Sequence, residues 1–357
     1  MKLNNFSYLK DYRNLKVLVT GSTGFKGTWL IFWLNKLGAK VVGIGLKPES
    51  DSVLFKELKI QNKSKQYINN IENFDKTNQI IKKEKPDIIF HLAAQSIVSE
   101  SYKDPLGTIR TNTLGSANIL ESVRLNKIKN LVFITSDKCY LNRELKRSYN
   151  ELDVLGGYDN YSSSKAAAEV IFHSYYNCYF KNKNLFTATA RAGNVVGGGD
   201  FKKNRIISDL FKSIQLNKKL TLRNPKSTRP WQHVLEPLSG YLKLGSYLMN
   251  RKLSNNIYPS WNFGPNLKNC KEVIEIVGMF YRELNMKKNI KFLKLKKFKE
   301  ANLLSLSIVK AEKELKWKPN LELKECIMLT SEWYIDYFKE KDLTKTTNKQ
   351  IDFFTNK

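Results

Sequence analysis

Cysteine, histidine and proline are thin in this chain: four, three and nine among 357 residues. Cys139, Cys178, Cys270 and Cys326 lie far apart with no CxxC pair, which argues against a disulfide framework and a thiolate zinc site; no metal is expected. No apolar run is long enough to cross a bilayer as a helix. The opening MKLNNFSYLKDYRN lacks the apolar middle of a secretory leader, so a cytoplasmic protein is expected. Acidic residues are scarce as well: 33 Asp and Glu against 61 Lys and Arg leave a formal charge of +28. Such an excess suits nucleic-acid binding when the cations sit on a recognition module. Here they run along the whole chain without a zinc finger, RNP-like motif or basic arm. A solvated Lys-rich surface is expected, with neither nucleic acid nor membrane as partner. The charge would still draw an anionic small substrate.

What is present is a 41% hydrophobic chain with a repeating order of elements. Strands are expected at 16–20, 40–45, 67–71, 87–92, 130–135 and 185–191. Helices are expected at 24–37, 75–84, 104–125 and 159–181. Strands alternating with helices imply βαβ units and a parallel sheet covered on both faces. The expected fold is therefore α/β, a Rossmann-type doubly wound parallel sheet with a smaller C-terminal substrate-binding region. Residues 1–193 would form the dinucleotide-binding domain and 194–340 mainly the second region, with part of 229–262 returning to the first. Residues 341–357 read as a loosely held tail.

Between the first strand and helix stands TGSTGFKG, with Gly21, Gly24 and Gly27. Glycines at that spacing let the backbone approach a pyrophosphate, which then rests on the positive end of the helix. The second strand ends in GIGLKPES, with no acid for a ribose 2′-hydroxyl, and Lys47 would suit a 2′-phosphate; NAD and NADP stay open on these residues alone. Further on, Tyr161 and Lys165 in YSSSK are one helical turn apart and share a face. An adjacent ammonium favours phenolate, so Tyr161 becomes a candidate base for an alcohol proton. The strand LVFIT runs directly into Ser136, Asp137 and Lys138, a hydroxyl, an acid and an amine at one strand end. For Lys138 to act as base and Asp137 as acid, a desolvated pocket is needed, while an ion pair between them works against it. Strand alternation would send the two side chains to opposite faces, so the strand must break there.

TGSTGFKG, HLAAQ, TSDKCY, YSSSK and RAGNVVGGGD resemble the extended short-chain dehydrogenase/reductase superfamily. Within it, TGFKGTWL, SDKCYLNRE and RNPKSTRPWQHVLEPLSGYL are similar to the CDP-glucose 4,6-dehydratases, from about residue 8 to about 337. The resemblance implies NAD as cofactor and CDP-glucose as substrate, with a homodimer or dimer of dimers packed through helices 104–125 and 159–181. It implies a catalytic set of Ser136, Asp137, Lys138, Tyr161 and Lys165. The cofactor would meet Gly21, Thr23, Gly24, Phe25, Lys26, Gly27, Asn70, Ile71, Leu92, Ala93, Ala94, Gln95 and Thr111, besides Tyr161 and Lys165. The substrate would meet Gln95, Ser136, Asn194, Arg205, Arg223, Arg229 and His233, and Arg191 would also lie over the sugar nucleotide. His91 would anchor a loop, and His173 receives no role.

Two positions depart from the family pattern: Asn70 where an Asp usually accepts from adenine, and Phe201 where Trp usually follows the glycine loop. Other readings are a 4,6-dehydratase or 4-epimerase for another nucleotide sugar and, from a different class, a cofactor-sensing regulator. An epimerase needs no acid/base pair at 137–138. A regulator needs none of Tyr161, Lys165, Asp137 and Lys138 together.

Overall fold

A computed structural model describes residues 6–181, 183–250, 258–293 and 304–357. The first five residues lie outside it, as does part of the stretch leading into residue 304. Seven parallel strands form the central sheet: β1 Lys16–Thr20, β2 Lys40–Gly45, β3 Lys65–Ile68, β4 Ile88–His91, β5 Asn130–Ile134, β6 Phe186–Ala192 and β7 Ser260–Phe263. Their spatial order is β7-β6-β5-β4-β1-β2-β3. The order reverses between β1 and β4, which opens a crevice at the carboxyl ends of those strands. Parallel strands buried on both faces read as continuous apolar runs, and Asn130–Ile134 is buried at every position.

Helices cover both faces: α1 Phe25–Lys36, α2 Phe74–Glu84, α3 Ser116–Asn126, α4 Asn160–Tyr175, α5 Ile206–Gln215, α6 Leu235–Met249, α7 Val273–Glu283, α8 Leu323–Phe338 and α9 Leu343–Asn356. The long helix expected over 104–125 is divided into Pro105–Ile109, a π turn at Arg110–Gly115 and α3. Asp104 caps its start by accepting the Gly107 amide, and Pro105 sits where a missing N–H costs nothing. In α1, Trp29, Leu30, Ile31, Trp33 and Leu34 are all fully buried, which makes this helix a core element and fixes the turn before it.

Helix α6 lies against β5 and β6, and the hydroxyls of Tyr8 and Tyr12 tie the N-terminal turn to it by donating to the Ser239 and Leu242 carbonyls. The remaining region is built on α5, α7 and α8. Three short strand pairs accompany it: Leu220–Leu222 with Ile290–Phe292, Thr228–Pro230 with Cys270–Glu272, and Val195–Val196 with Gln232–His233.

Residues 341–357 overturn the expectation of a loose tail. Asp342 caps α9, and Leu343, Thr346, Thr347, Gln350, Ile351 and Phe354 are buried at three- and four-residue spacing. Phe354 meets Trp33 edge-on at 5.8 Å, and Gln350 donates to the Leu329 carbonyl at 2.7 Å. The buried stripe is half threonine and glutamine, so hydrophobicity alone does not reveal it.

Candidate active site

The glycine turn is shaped for close backbone approach. Gly21 has φ +72°, and a Cβ there would lie 2.9 Å from the Ala93 amide nitrogen. A Cβ on Gly27 would sit 2.1 Å from the Gly21 carbonyl oxygen, so only glycine lets α1 start this near the turn. No acid occupies the first turn of α1 to compete for its positive end. Thr23, Gly24, Phe25 and Lys26 complete the turn.

The neighbouring wall is held by one histidine. Thr20 Oγ1 accepts the amides of Leu92 and Ala93, each at 3.1 Å, so its own proton goes to His91 Nδ1 at 2.7 Å. His91 Nε2 then donates to Ser116 at 3.0 Å. Burial pushes this imidazole down to about 3, and it stays neutral as a loop anchor. A cradle that a Cβ would fill, at the open end of a helix and beside the sheet's switch point, fits a dinucleotide pyrophosphate.

At the far end of this cleft the expected polar residues are partly spent. Asn70 is exposed, and its side-chain oxygen accepts the Glu72 amide at 3.1 Å. Thr111 donates to Glu72 at 2.5 Å, and Glu72 also faces Arg110 at 3.6 Å. Glu72 is thus the carboxylate of this corner, two residues beyond the position that usually carries one. Ile71 is buried beneath Gly115. Gln95, expected to serve both ligands, has its amide engaged within the loop: Nε2 donates to Thr108 at 3.0 Å and Oε1 accepts the Ile97 amide. In this arrangement it offers its loop, with Ala94, rather than a free side chain.

The strand does break where the chemistry requires it. After β5 ends at Ile134, Ser136 is extended and caps a 3-10 turn, Asp137–Cys139, by accepting the Lys138 amide. The turn replaces alternation, so Asp137 and Lys138 meet: Lys138 Nζ lies 3.4 Å from Asp137 Oδ1 and 3.3 Å from Asn194 Oδ1. The Ser136 hydroxyl donates to Asp137 Oδ1 at 2.9 Å, whereas Asp137 Oδ2 is buried with no hydrogen-bond partner. The Asp137 side chain is 2% exposed and that of Lys138 27%, so the amine is the more accessible member of the pair. Gly193 lies close to Oδ2, and a Cβ there would crowd it at 3.2 Å.

Helix α4 brings the second pair. Asp159 caps it by accepting the Ser162 amide, which places Tyr161 and Lys165 in its first turns. The Tyr161 hydroxyl lies beside Ser136, which favours its ionised form. Burial pushes Tyr161 up to about 12, while Ser136 and the charge of Arg205 pull the other way. Burial also brings Lys165 down to about 8, opposed by Cys139 and Glu169.

Two further groups converge here. Lys26 places its amine 3.5 Å from the buried Tyr241 hydroxyl. Burial brings it down to about 8, with Asp137 opposing that and Arg205, Lys165 and Lys138 adding to it. Arg205 is fixed by Asp200 at 2.6 Å and Ser96 at 2.7 Å. Sequence reasoning gave no part to Tyr241, Asp200 or Ser96, although Asp200 closes RAGNVVGGGD and Tyr241 lies within RNPKSTRPWQHVLEPLSGYL.

Other substrate-side expectations fare differently. His233 is fully buried, edge-on to Trp29 at 6.0 Å, with Nε2 under Gly197; it packs beneath the glycine loop and does not face a ligand. Arg191 is also fully buried and forms a bidentate pair with Glu169, so it does not lie over the substrate. Arg223 is exposed and donates to Asn204, while Arg229 donates to its neighbour's carbonyl, Thr228, at 2.9 Å. Phe201 packs among Trp333, Tyr334 and Tyr337, where any large aromatic ring serves.

The chain that builds this site is similar to known proteins in sequence and in fold. The sequence profile described as GDP-mannose 4,6 dehydratase covers residues 18–330. A CDP-glucose 4,6-dehydratase from Salmonella typhimurium is 38% identical over 348 residues, 95% of this chain and 96% of that relative. The chain belongs to this dehydratase family. Solved structures agree on the fold. An epimerase from Methanothermobacter thermautotrophicus superposes with a TM-score of 0.81 at 22% identity, over 95% of this chain and 97% of the other. A dTDP-glucose 4,6-dehydratase from Bacillus anthracis, in complex with NAD, gives 0.75 at 21% identity over 92% and 99%.

Proposed function

We propose that this chain is a CDP-glucose 4,6-dehydratase, converting CDP-D-glucose to CDP-4-keto-6-deoxy-D-glucose and water. The observation that carries the reading is the Asp137–Lys138 turn set beside Tyr161, in a chain whose relative of that name matches it almost end to end. NAD is the cofactor of this reading; the turn with Gly21, Gly24 and Gly27 would hold its pyrophosphate, and it would supply the hydride acceptor for C4′ and the hydride donor for C6′.

The protein's own groups move the protons. Tyr161 takes the proton of the 4′-hydroxyl, with Ser136 holding the same oxygen. Burial alone makes Tyr161 a poorer base, so Lys165, still mostly charged at neutral pH with a value of about 8, has to offset it. A C4′ ketone then acidifies the C5′ proton. Transfer of one proton from Lys138 to Asp137, along their 3.4 Å contact, turns the ion pair into the base and acid that elimination needs, without exchange with solvent. Lys138 removes the C5′ proton, and Asp137 protonates the departing 6′-hydroxyl through the oxygen that no protein group holds. Lys138 later returns a proton to C5′, and the proton that Tyr161 took from the 4′-hydroxyl replaces the one Asp137 lost to the departing water, which restores the starting state. Arg205, Arg223 and Arg229 serve the diphosphate side, since fixed guanidiniums suit paired phosphate oxygens. Asn194 orients Lys138.

In this reading the enzyme works in the cytoplasm as a homodimer, in deoxysugar synthesis for surface glycans. Among the described residues no helix is long and apolar enough to cross a membrane. Leu106, Ile109 and Leu114 along 105–115 and Val170 on α4 are exposed apolar side chains on the two segments that would pair. The test is mass spectrometry of purified protein incubated with NAD and, separately, CDP-, dTDP-, GDP- and UDP-hexoses. Loss of one water from CDP-glucose alone is expected. Water loss only from another sugar nucleotide overturns the substrate. Isomerisation without water loss overturns the dehydratase.

A further inference from the structure

Behind the strand end lies a charge pair that the proposed chemistry leaves unused. Glu169 and Arg191 are both 0% exposed. Arg191 Nε and a terminal nitrogen donate to the two Glu169 oxygens at 2.9 and 2.8 Å. Glu169 also accepts from Thr135 at 2.5 Å and Thr189 at 3.0 Å. Arg191 further donates to the Tyr140 hydroxyl at 2.8 Å and the Glu151 carbonyl at 3.0 Å. Tyr140 passes the chain on to Asn262 at 2.8 Å, whose amide donates to the Glu151 carboxylate at 2.9 Å.

Two isolated charges gain little from such burial, because desolvation offsets their attraction. The places where the network attaches are more informative. Glu169 follows Lys165 by four residues, as Lys165 follows Tyr161, so it stands two turns along the reactive face of α4. Thr135 immediately precedes Ser136. Tyr140 is the second residue after Lys138. One rigid set of hydrogen bonds therefore grips the helix that carries Tyr161 and Lys165 and both ends of the turn that carries Ser136, Asp137 and Lys138.

We infer that the buried Glu169–Arg191 pair is a positioning clamp that sets the distance between the Tyr161–Lys165 half of the active site and the Asp137–Lys138 half. This rests on the dehydratase reading, in which both halves must reach adjacent carbons of one sugar. A displacement near 1 Å costs on the order of 10²-fold in rate when reacting groups must be aligned. Glu169 has an electrostatic part as well. Lys165 is faced by Glu169 and Cys139, which favour its charged form, and by Lys26 from α1 and His91 from β4.

The decisive variant is the double substitution Glu169→Gln with Arg191→Met. It removes both charges together, and neutral replacement of a buried pair is often tolerated, whereas either change alone strands a buried ion. Full-length protein with NAD is assayed on CDP-glucose, with thermal unfolding and equilibrium binding of CDP measured beside it. The clamp predicts a folded protein with CDP affinity and KM within about threefold of the parent and kcat lower by about 10²-fold. It also predicts that the alkaline limb of the kcat profile moves to lower pH, because Lys165 loses a neighbour that holds its proton. A purely structural pair would move neither once the fold is intact. Thr135→Val, which deletes one hydrogen bond and no charge, is the second variant, with kcat lower by about tenfold at unchanged KM.

Parental kcat and pH profile in a folded double variant overturn the clamp. If the double variant does not fold, parental kcat in Thr135→Val overturns it. If the parent protein removes no water from CDP-glucose, the dehydratase reading fails, and that result is distinct from either.

Discussion

Two buried carboxylates stand on opposite sides of the end of β5, and they are treated in opposite ways. Glu169 has both oxygens filled by Arg191, Thr135 and Thr189, and these partners overcome its burial and hold it well below the usual carboxylate range. Asp137, in the turn that follows β5, has one oxygen shared by Ser136 and Lys138 and the other with no partner. A buried polar atom left open costs stability, on the order of 1–3 kcal/mol. Folding would fill such a gap if structure were all that mattered. The satisfied acid belongs to the framework, and the unsatisfied one is left for a ligand.

The largest expected effect breaks the open side of this comparison. Asp137→Asn and Lys138→Met should each lower kcat by about 10²–10⁴-fold, the range of general acid–base catalysis, and Asp137→Asn, which strands no buried charge, should keep a thermal stability equal to or above the parent. Steady-state kinetics and a melting curve check this together. The reverse is expected on the closed side. Arg191→Met leaves Glu169 buried without its counter-ion and should cost about 3–5 kcal/mol, read from denaturant unfolding.

A third buried acid sharpens the rule. Glu236 receives the amides of Asn320 and Leu321 but no cation, and burial pushes it up to about 7. An acid raised in the folded state binds protons that the unfolded chain has released, so its contribution falls as pH rises from the ordinary 4.5 to about 7. Glu236→Gln should flatten that part of the stability curve by a few degrees in Tm, the smallest of the three effects. An unchanged slope would mean that backbone amides alone satisfy a buried carboxylate.

How much of this was legible in the sequence depends on how local the cause is. The glycine turn, the Tyr161–Lys165 turn and the strand break at Ser136 are each decided within a few residues, and each was read correctly as local geometry. The pairing of Lys138 with Asn194, the engagement of Gln95 by Thr108, and the fates of Arg191 and His233 depend on strands and loops far away in the chain. Arg191 was expected over the sugar nucleotide because a guanidinium is usually exposed or bound to an anion. Its anion is Glu169, supplied by the protein. The i+4 spacing from Lys165 to Glu169 was the available signal. Helix α9 was missed because threonines and a glutamine fill half of its buried stripe.

The account turns on Lys138 as the group that takes and returns the C5′ proton. The most direct measurement is mass spectrometry of the product formed from CDP-glucose in deuterium oxide, by the parent protein and by Lys138→Met. The parent should lose one water and gain one solvent deuterium at C5′, while Lys138→Met should do neither above about one hundredth of the parental rate. Deuterium entering C5′ at the parental rate in Lys138→Met would contradict the assignment.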